Sequence, residues 1–150
     1  MKLSTGKIAF PIEFDNGDKT AIYFNPSDPN LAIRLKDFKD RISERIKDID
    51  EVELTNEGVP SLDEGLAAIE QYRAATNALC EELDIAFGGD ISAEVFKHCS
   101  PFAIVDGRYF IIQFIEAISP EIEKYAREAN AKAEKNMEKH IAKYILAISN

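Results

Sequence analysis

The chain has 150 residues, of which 45% are hydrophobic and 30% are charged, and its net charge is −9 at pH 7. This length is enough for one domain with its own core, and the composition is too apolar for a disordered chain. No apolar run reaches the roughly 18 residues that a membrane span needs. The first residues also lack the apolar segment and cleavage site of a signal peptide.

The negative charge is concentrated in the middle of the chain. Residues 51–120 carry three basic and 13 acidic side chains, a local net charge of −10. Because nucleic-acid binding requires positive charge against the phosphates, we expect no nucleic-acid partner. Cys80 and Cys99 form no CxxC pair, so we expect reduced thiols in a cytosol-like compartment.

Residues 7–24 predict a β-hairpin. Apolar side chains recur at every second position on both sides of Asn16-Gly17, a pair that tolerates the positive φ of a tight turn. Pro11 cannot donate a ladder hydrogen bond, which predicts an edge strand. A lone hairpin is marginal in water, so we expect it to pack on helices or on another chain.

Helical spacing predicts two long helices after the hairpin. The first has Asn30 as its cap and an apolar stripe over residues 31–49, followed by an acidic loop at 50–60. Ser61 and Glu64 have the spacing of a capping box that opens the second helix, and Gly88-Gly89 ends it. The second helix carries an apolar stripe of Leu62, Leu66, Ile69, Tyr72, Leu79, Leu83 and Phe87.

The remaining residues predict a short helix and then two more helices. Ser92 is expected to cap the short one, and a turn at Asp106-Gly107 precedes an apolar helix from Arg108 to Ile118. Ser119-Pro120 then predicts the start of a separate last helix over residues 120–148, about 40 Å long. Its apolar stripe continues through Ile122, Ala126, Ala129, Ala133, Met137, Ile141, Tyr144 or Ile145, and Ile148.

The predicted fold class is therefore α+β and predominantly α-helical, with an N-terminal β-hairpin, four to five helices and a long C-terminal helix. We expect a single domain over residues 1–150. It comprises the hairpin at 1–24, a helical core at 31–119 and the long helix at 120–150.

The residues that could carry chemistry do not form a catalytic or metal-binding pattern. His98 and Cys99 are adjacent, so on a helix their side chains point about 100° apart and cannot form a nucleophile–base pair. The two cysteines and two histidines lack zinc-ligand spacing, and Gly88-Gly89 is not followed by the lysine and serine of a phosphate loop. We therefore predict a protein that is not an enzyme and uses no metal and no cofactor.

Of the predicted elements, the long last helix is the one that packing within a single compact domain explains least. Its apolar stripe could pack on the chain's own core, or it could bind a partner helix or mediate self-association. The predicted contact residues are Ile22 and Phe24 on the hairpin, and Met137, Ile141, Tyr144 and Ile148 on the helix.

The order of several segments is similar to that of one protein family. The hairpin leads into FNPSDPNLAIRLKDF at 24–38, followed by LDIAFGGDISAEVF at 83–96, SPFAIVDGRYFIIQFIEAISPEI at 100–122 and a charged final helix. In this order the chain resembles the small tail assembly chaperones of long-tailed bacteriophages and prophages of Gram-positive hosts.

The resemblance implies a non-enzymatic protein in the cytoplasm of the bacterial host. Such chaperones coat the long helical tape measure protein and keep it soluble until tail tube subunits replace them, which makes the tail tube protein a second implied contact. The alternative is a structural virion or head–tail joining protein of a phage or prophage, which would remain in the particle.

Overall fold

The computed structural model describes residues 1–55 and 62–149, with the backbone alone for residues 51–55, 144, 146, 148 and 149. The fold is α+β and mostly helical, as predicted, with an N-terminal hairpin and a long C-terminal helix. In chain order, the described elements are β1 (Ile8–Glu13), β2 (Lys19–Phe24), α1 (Pro29–Thr55), α2 (Leu62–Phe87), α3 (Ser92–Val95), β3 (Ile104–Val105), β4 (Arg108–Tyr109) and α4 (Phe110–Ser149).

The N-terminal hairpin forms where alternation predicted it. β1 and β2 pair antiparallel, and Gly17 in the connecting turn has a φ of 88°. The Phe14 amide donates to the Asp18 carbonyl, so these two residues form a hydrogen-bonded pair. Hydrogen-bonded and non-hydrogen-bonded pairs alternate along an antiparallel ladder, and Pro11 and Ala21, three pairs further along, therefore form a non-hydrogen-bonded pair. The absent N–H of Pro11 therefore costs no bond within the hairpin.

Stacked aromatic rings attach the hairpin to the helices. The rings of Phe10 in β1 and Phe24 in β2 lie 4.2 Å apart and nearly parallel. Phe24 meets the edge of Phe87 at the end of α2, and Phe10 meets Tyr125 of α4 at 5.2 Å. The hairpin thus buries its apolar face against both helices, which a two-stranded sheet needs for stability.

α1 packs along α2, and the predicted α1 stripe is confirmed. Leu31, Phe38, Ile42 and Ile49 are buried, and Leu35 and Ile46 pack against them. Arg45 of α1 joins Glu82 of α2 with a separation of 2.8 Å. The predicted loop at 50–60 is wrong for residues 50–55, which continue α1, because glutamate is a good helix former. The rest of that loop and the proposed cap Ser61 lie outside the described residues.

Two predicted helix caps are wrong because aspartates upstream supply the oxygen. α1 begins at Pro29, and the Asp28 side chain accepts the Asn30 amide at 2.9 Å. At α3, the Asp84 carboxylate accepts from the amides of Ile91 and Ser92 at 2.8 and 2.7 Å and from the Ser92 hydroxyl at 2.8 Å. Asp84 therefore fixes the turn from α2 into α3.

The apolar helix predicted from Arg108 begins two residues later. Asp106 and Gly107 both have positive φ, and they join β3 and β4 in a second small hairpin. Such a turn matches the twist of paired strands, so Arg108 and Tyr109 form a strand and not the first residues of the helix. The Phe110 amide then donates to the Ala103 carbonyl at 2.9 Å, where α4 begins.

The break predicted at Ser119-Pro120 is also wrong, because α4 is continuous from Phe110 to Ser149 with Pro120 inside it. The Ser119 hydroxyl donates to the Ile115 carbonyl at 2.7 Å instead of capping a new helix. Ile118 is buried before the proline, and Ile122 packs on the core after it. This packing on both sides offsets the roughly 3 kcal/mol that an interior proline costs.

Replacing Phe24 with alanine tests the aromatic attachment of the hairpin. Phe24 is 1% exposed, whereas its neighbour Tyr23 is 60% exposed. We expect Phe24→Ala to lower the free energy of unfolding by about 3–5 kcal/mol in urea titration, since a large buried ring is removed. The matched variant Tyr23→Ala should change it by less than about 1 kcal/mol. Equal losses in both variants would contradict the packing described.

Replacing Asp84 with alanine tests the connection between α2 and α3. Three donors lose their acceptor, two of them backbone amides, so we expect a loss of about 1–3 kcal/mol in the same titration. The exposed Asp90, in the adjoining turn, provides the control, and Asp90→Ala should be close to neutral. An Asp84→Ala variant as stable as Asp90→Ala would show that the carboxylate does not hold the turn.

Candidate protein-binding surfaces

The C-terminal part of α4 extends beyond the core. Every side chain from Asn130 to Lys143 is exposed. Met137, Ile141 and Ile145, which we call the distal stripe, are 63%, 56% and 57% exposed. A spacing of four residues places them on one face of the helix. The distal stripe is thus an apolar helix face directed at solvent, in a segment of otherwise charged and small residues.

A second apolar helix face lies on the N-terminal half of α2. Leu62, Leu66 and Ile69, which we call the α2 stripe, are all more than half exposed. The sequence placed them in one core-facing stripe with Leu79 and Leu83, and this is wrong for the first half of α2. Phe24 and Phe114 both pack on Phe87, at the opposite end of the helix.

The predicted contact residues have different locations in the structure. Ile22 and Phe24 are each 1% exposed, so they belong to the core and not to an accessible edge. They occupy the positions of β2 that share a face with Phe10, which is the face turned to the helices. Met137 and Ile141 are exposed, whereas the side chains of Tyr144 and Ile148 lie outside the described ones.

The hairpin and the distal stripe do not form one site. Tyr125 is the α4 residue that contacts the ring of Phe10. Met137 follows it by three turns of helix, about 18 Å along the axis. Sequence reasoning missed the α2 stripe as a candidate surface, because its spacing is the same as that of a buried stripe and only the tertiary packing distinguishes them.

The histidine and cysteine side chains have structural neighbours. His98 Nε2 lies 2.6 Å from Asp18 Oδ2, and this hydrogen bond, with the nearby Lys97, lowers the pKa of the Asp18 carboxyl. Burial, followed by the negative charge of Asp84, raises the pKa of the Cys80 thiol. Burial also raises the pKa of Cys99. Raised values keep both thiols protonated at neutral pH, a form that is a poor nucleophile.

Among the described residues, no group of three or more histidine, cysteine or acidic side chains is placed to hold a metal ion. In the same part of the chain, no helix is both long enough and apolar enough to cross a membrane. Comparisons of the chain with protein-family models, with curated proteins and with solved structures give no significant match.

Placing charges on the distal stripe tests whether it is a surface. We expect the double variant Met137→Asp, Ile141→Asp to lower the free energy of unfolding by no more than about 1 kcal/mol, because both side chains already contact water. Urea titration of the purified variant gives this value. A loss of several kcal/mol would mean that the stripe is ordinary core, since burying new charge is costly.

Proposed function

We propose that the protein is a binding protein, not an enzyme, and that it acts as a tail assembly chaperone that keeps a phage tape measure protein soluble. The observation that carries the proposal is the distal stripe, an apolar face on a helix that extends beyond its own core. Nothing in a small domain's own stability requires such a face. The partner's name comes from the resemblance of the sequence to tail assembly chaperones.

The spacing of the exposed side chains favours a helical partner. Residues four apart on α4, and three to four apart on the α2 stripe, form ridges that another helix can pack against. A tape measure protein is long and helix-rich, so it offers many helix faces. Several copies of a small chaperone, each contributing two stripes, would cover it.

The charge of the distal segment suits a reversible contact. Residues 130–150 carry four lysines and two glutamates, and the lysines lie on faces of the helix other than that of Met137. Covering the apolar face therefore buries no lysine, whereas Glu134 and Glu138, seven residues before Ile141 and Ile145, lie beside it. The charged faces keep the complex soluble. Reversibility is what the proposed role requires, because tail tube subunits later displace the chaperone in the host cytoplasm.

Co-expression with a tape measure fragment tests the proposal. We expect the fragment to be more soluble with the wild-type protein than alone, and Met137→Asp, Ile141→Asp to remove most of this gain. The control Asn136→Asp, Ala147→Asp adds the same two charges to exposed positions on another face of the same helix, and it should retain the gain. The soluble fraction measured after lysis gives the result.

Two outcomes would contradict the proposal. If the wild-type protein leaves the solubility of the fragment unchanged, the chaperone assignment fails. If the protein is found by mass spectrometry as a stoichiometric component of purified virions, the alternative of a structural or head–tail joining protein replaces it.

A further inference from the structure

An open groove with a volume of about 860 Å³ lies between the hairpin and the proximal half of α4. β1 forms one wall, and α4 forms the other from Phe110 to Tyr125, about 22 Å along the helix axis or four turns. Aromatic and aliphatic side chains line it, and Val95 and Cys99 are among the lining residues. We call it the β1–α4 groove.

The charges around the β1–α4 groove are of one sign. Glu13, Asp15, Asp106 and Glu121 line it, and all four are exposed. Among the described residues no lysine or arginine lines it. His98 also lines it, and its Nε2 lies 2.6 Å from the carboxylate oxygen of Asp18. An apolar floor between acidic borders favours an occupant that is apolar on one face and basic beside it.

The backbone of β1 favours a helical occupant over an extended one. Since the even-numbered residues of β1 bond to β2, the free edge presents the backbone groups of Ala9, Pro11 and Glu13. Pro11, at the centre of that edge, has no N–H to offer an added strand. A segment held through its side chains, as a helix is, needs no such donor.

We propose that the β1–α4 groove binds an amphipathic helix of the partner protein, with its apolar face on the floor and lysine or arginine side chains against the acidic borders. This inference rests on the proposed function, because it takes the partner to be helical. It adds a third contact surface, separate from the distal stripe and the α2 stripe, and it specifies the partner's charge. The bound segment would be about four turns long, matching the α4 wall.

A labelled model peptide tests the groove without a tape measure fragment. The probe is an amphipathic helix of about 16 residues with leucines on one face and lysines beside them, and its twin has glutamates in place of the lysines. We expect fluorescence anisotropy to show binding of the basic peptide at least about tenfold tighter than binding of the acidic twin. Equal affinities would overturn the proposal.

Variants then locate the bound peptide. Ala117 is exposed on the α4 wall, so Ala117→Trp fills the groove without entering the core, and Glu13→Lys, Glu121→Lys reverses two border charges. Each should weaken binding of the basic peptide by about tenfold or more. Glu123→Lys reverses a single charge on another face of α4 and should leave the affinity within about twofold. If neither groove variant weakens binding, the assignment is wrong.

The alkylation rates of the two cysteines report on occupancy of the groove in the wild-type protein. Cys99 lines the groove and Cys80 does not, and both are partly buried. Bound peptide should slow alkylation of Cys99 several-fold and leave the rate at Cys80 unchanged. Equal slowing at both sites, or at neither, would contradict binding in the groove. A wild-type dimer that Ala117→Trp converts to monomer would place a second copy there and also overturn the assignment.

The outcomes separate this inference from the proposed function. Loss of peptide selectivity while the tape measure fragment is still solubilised would refute the groove and leave the chaperone role intact. Selective peptide binding without solubilisation of the fragment would refute the chaperone role and leave the groove intact.

Discussion

The contact between the rings of Phe10 and Phe24 is the interaction on which the rest of the structure depends. A two-stranded sheet is not stable alone in water, and this stack joins its strands through their shared apolar face. Phe87 and Tyr125 extend the contact to α2 and α4. Because β1 is also a wall of the β1–α4 groove, the same packing that stabilises the hairpin creates the groove.

This packing also determines which helix surfaces remain exposed. The hairpin covers the end of α2 at Phe87 and the part of α4 near Tyr125. Both helices are longer than the sheet, whose strands have only six residues each. The α2 stripe and the distal stripe lie beyond its reach. Their exposure follows from the small size of the sheet, and it leaves helix faces that a partner can cover.

Local signals predicted the hairpin and the α1 stripe, because alternation, the Asn16-Gly17 turn and a regular helical period agree there. Ser119-Pro120 has the local pattern of a helix start, yet the burial of Ile118 and Ile122 keeps α4 continuous. The groove could not be predicted at all, since Phe10 and Tyr125 come from opposite ends of the sequence. Whether the α2 stripe is exposed likewise depends on how far along α2 the elements from distant parts of the sequence reach.

Amide hydrogen exchange of the full chain, alone and in complex with a co-expressed tape measure fragment, tests the central claim most directly. In the free protein, amides beyond Asn130 should exchange much faster than those near Ile111, because every side chain from Asn130 to Lys143 is exposed. In the complex, protection should rise over the distal stripe and along both walls of the β1–α4 groove. A complex in which these segments exchange as fast as in the free protein would contradict the account.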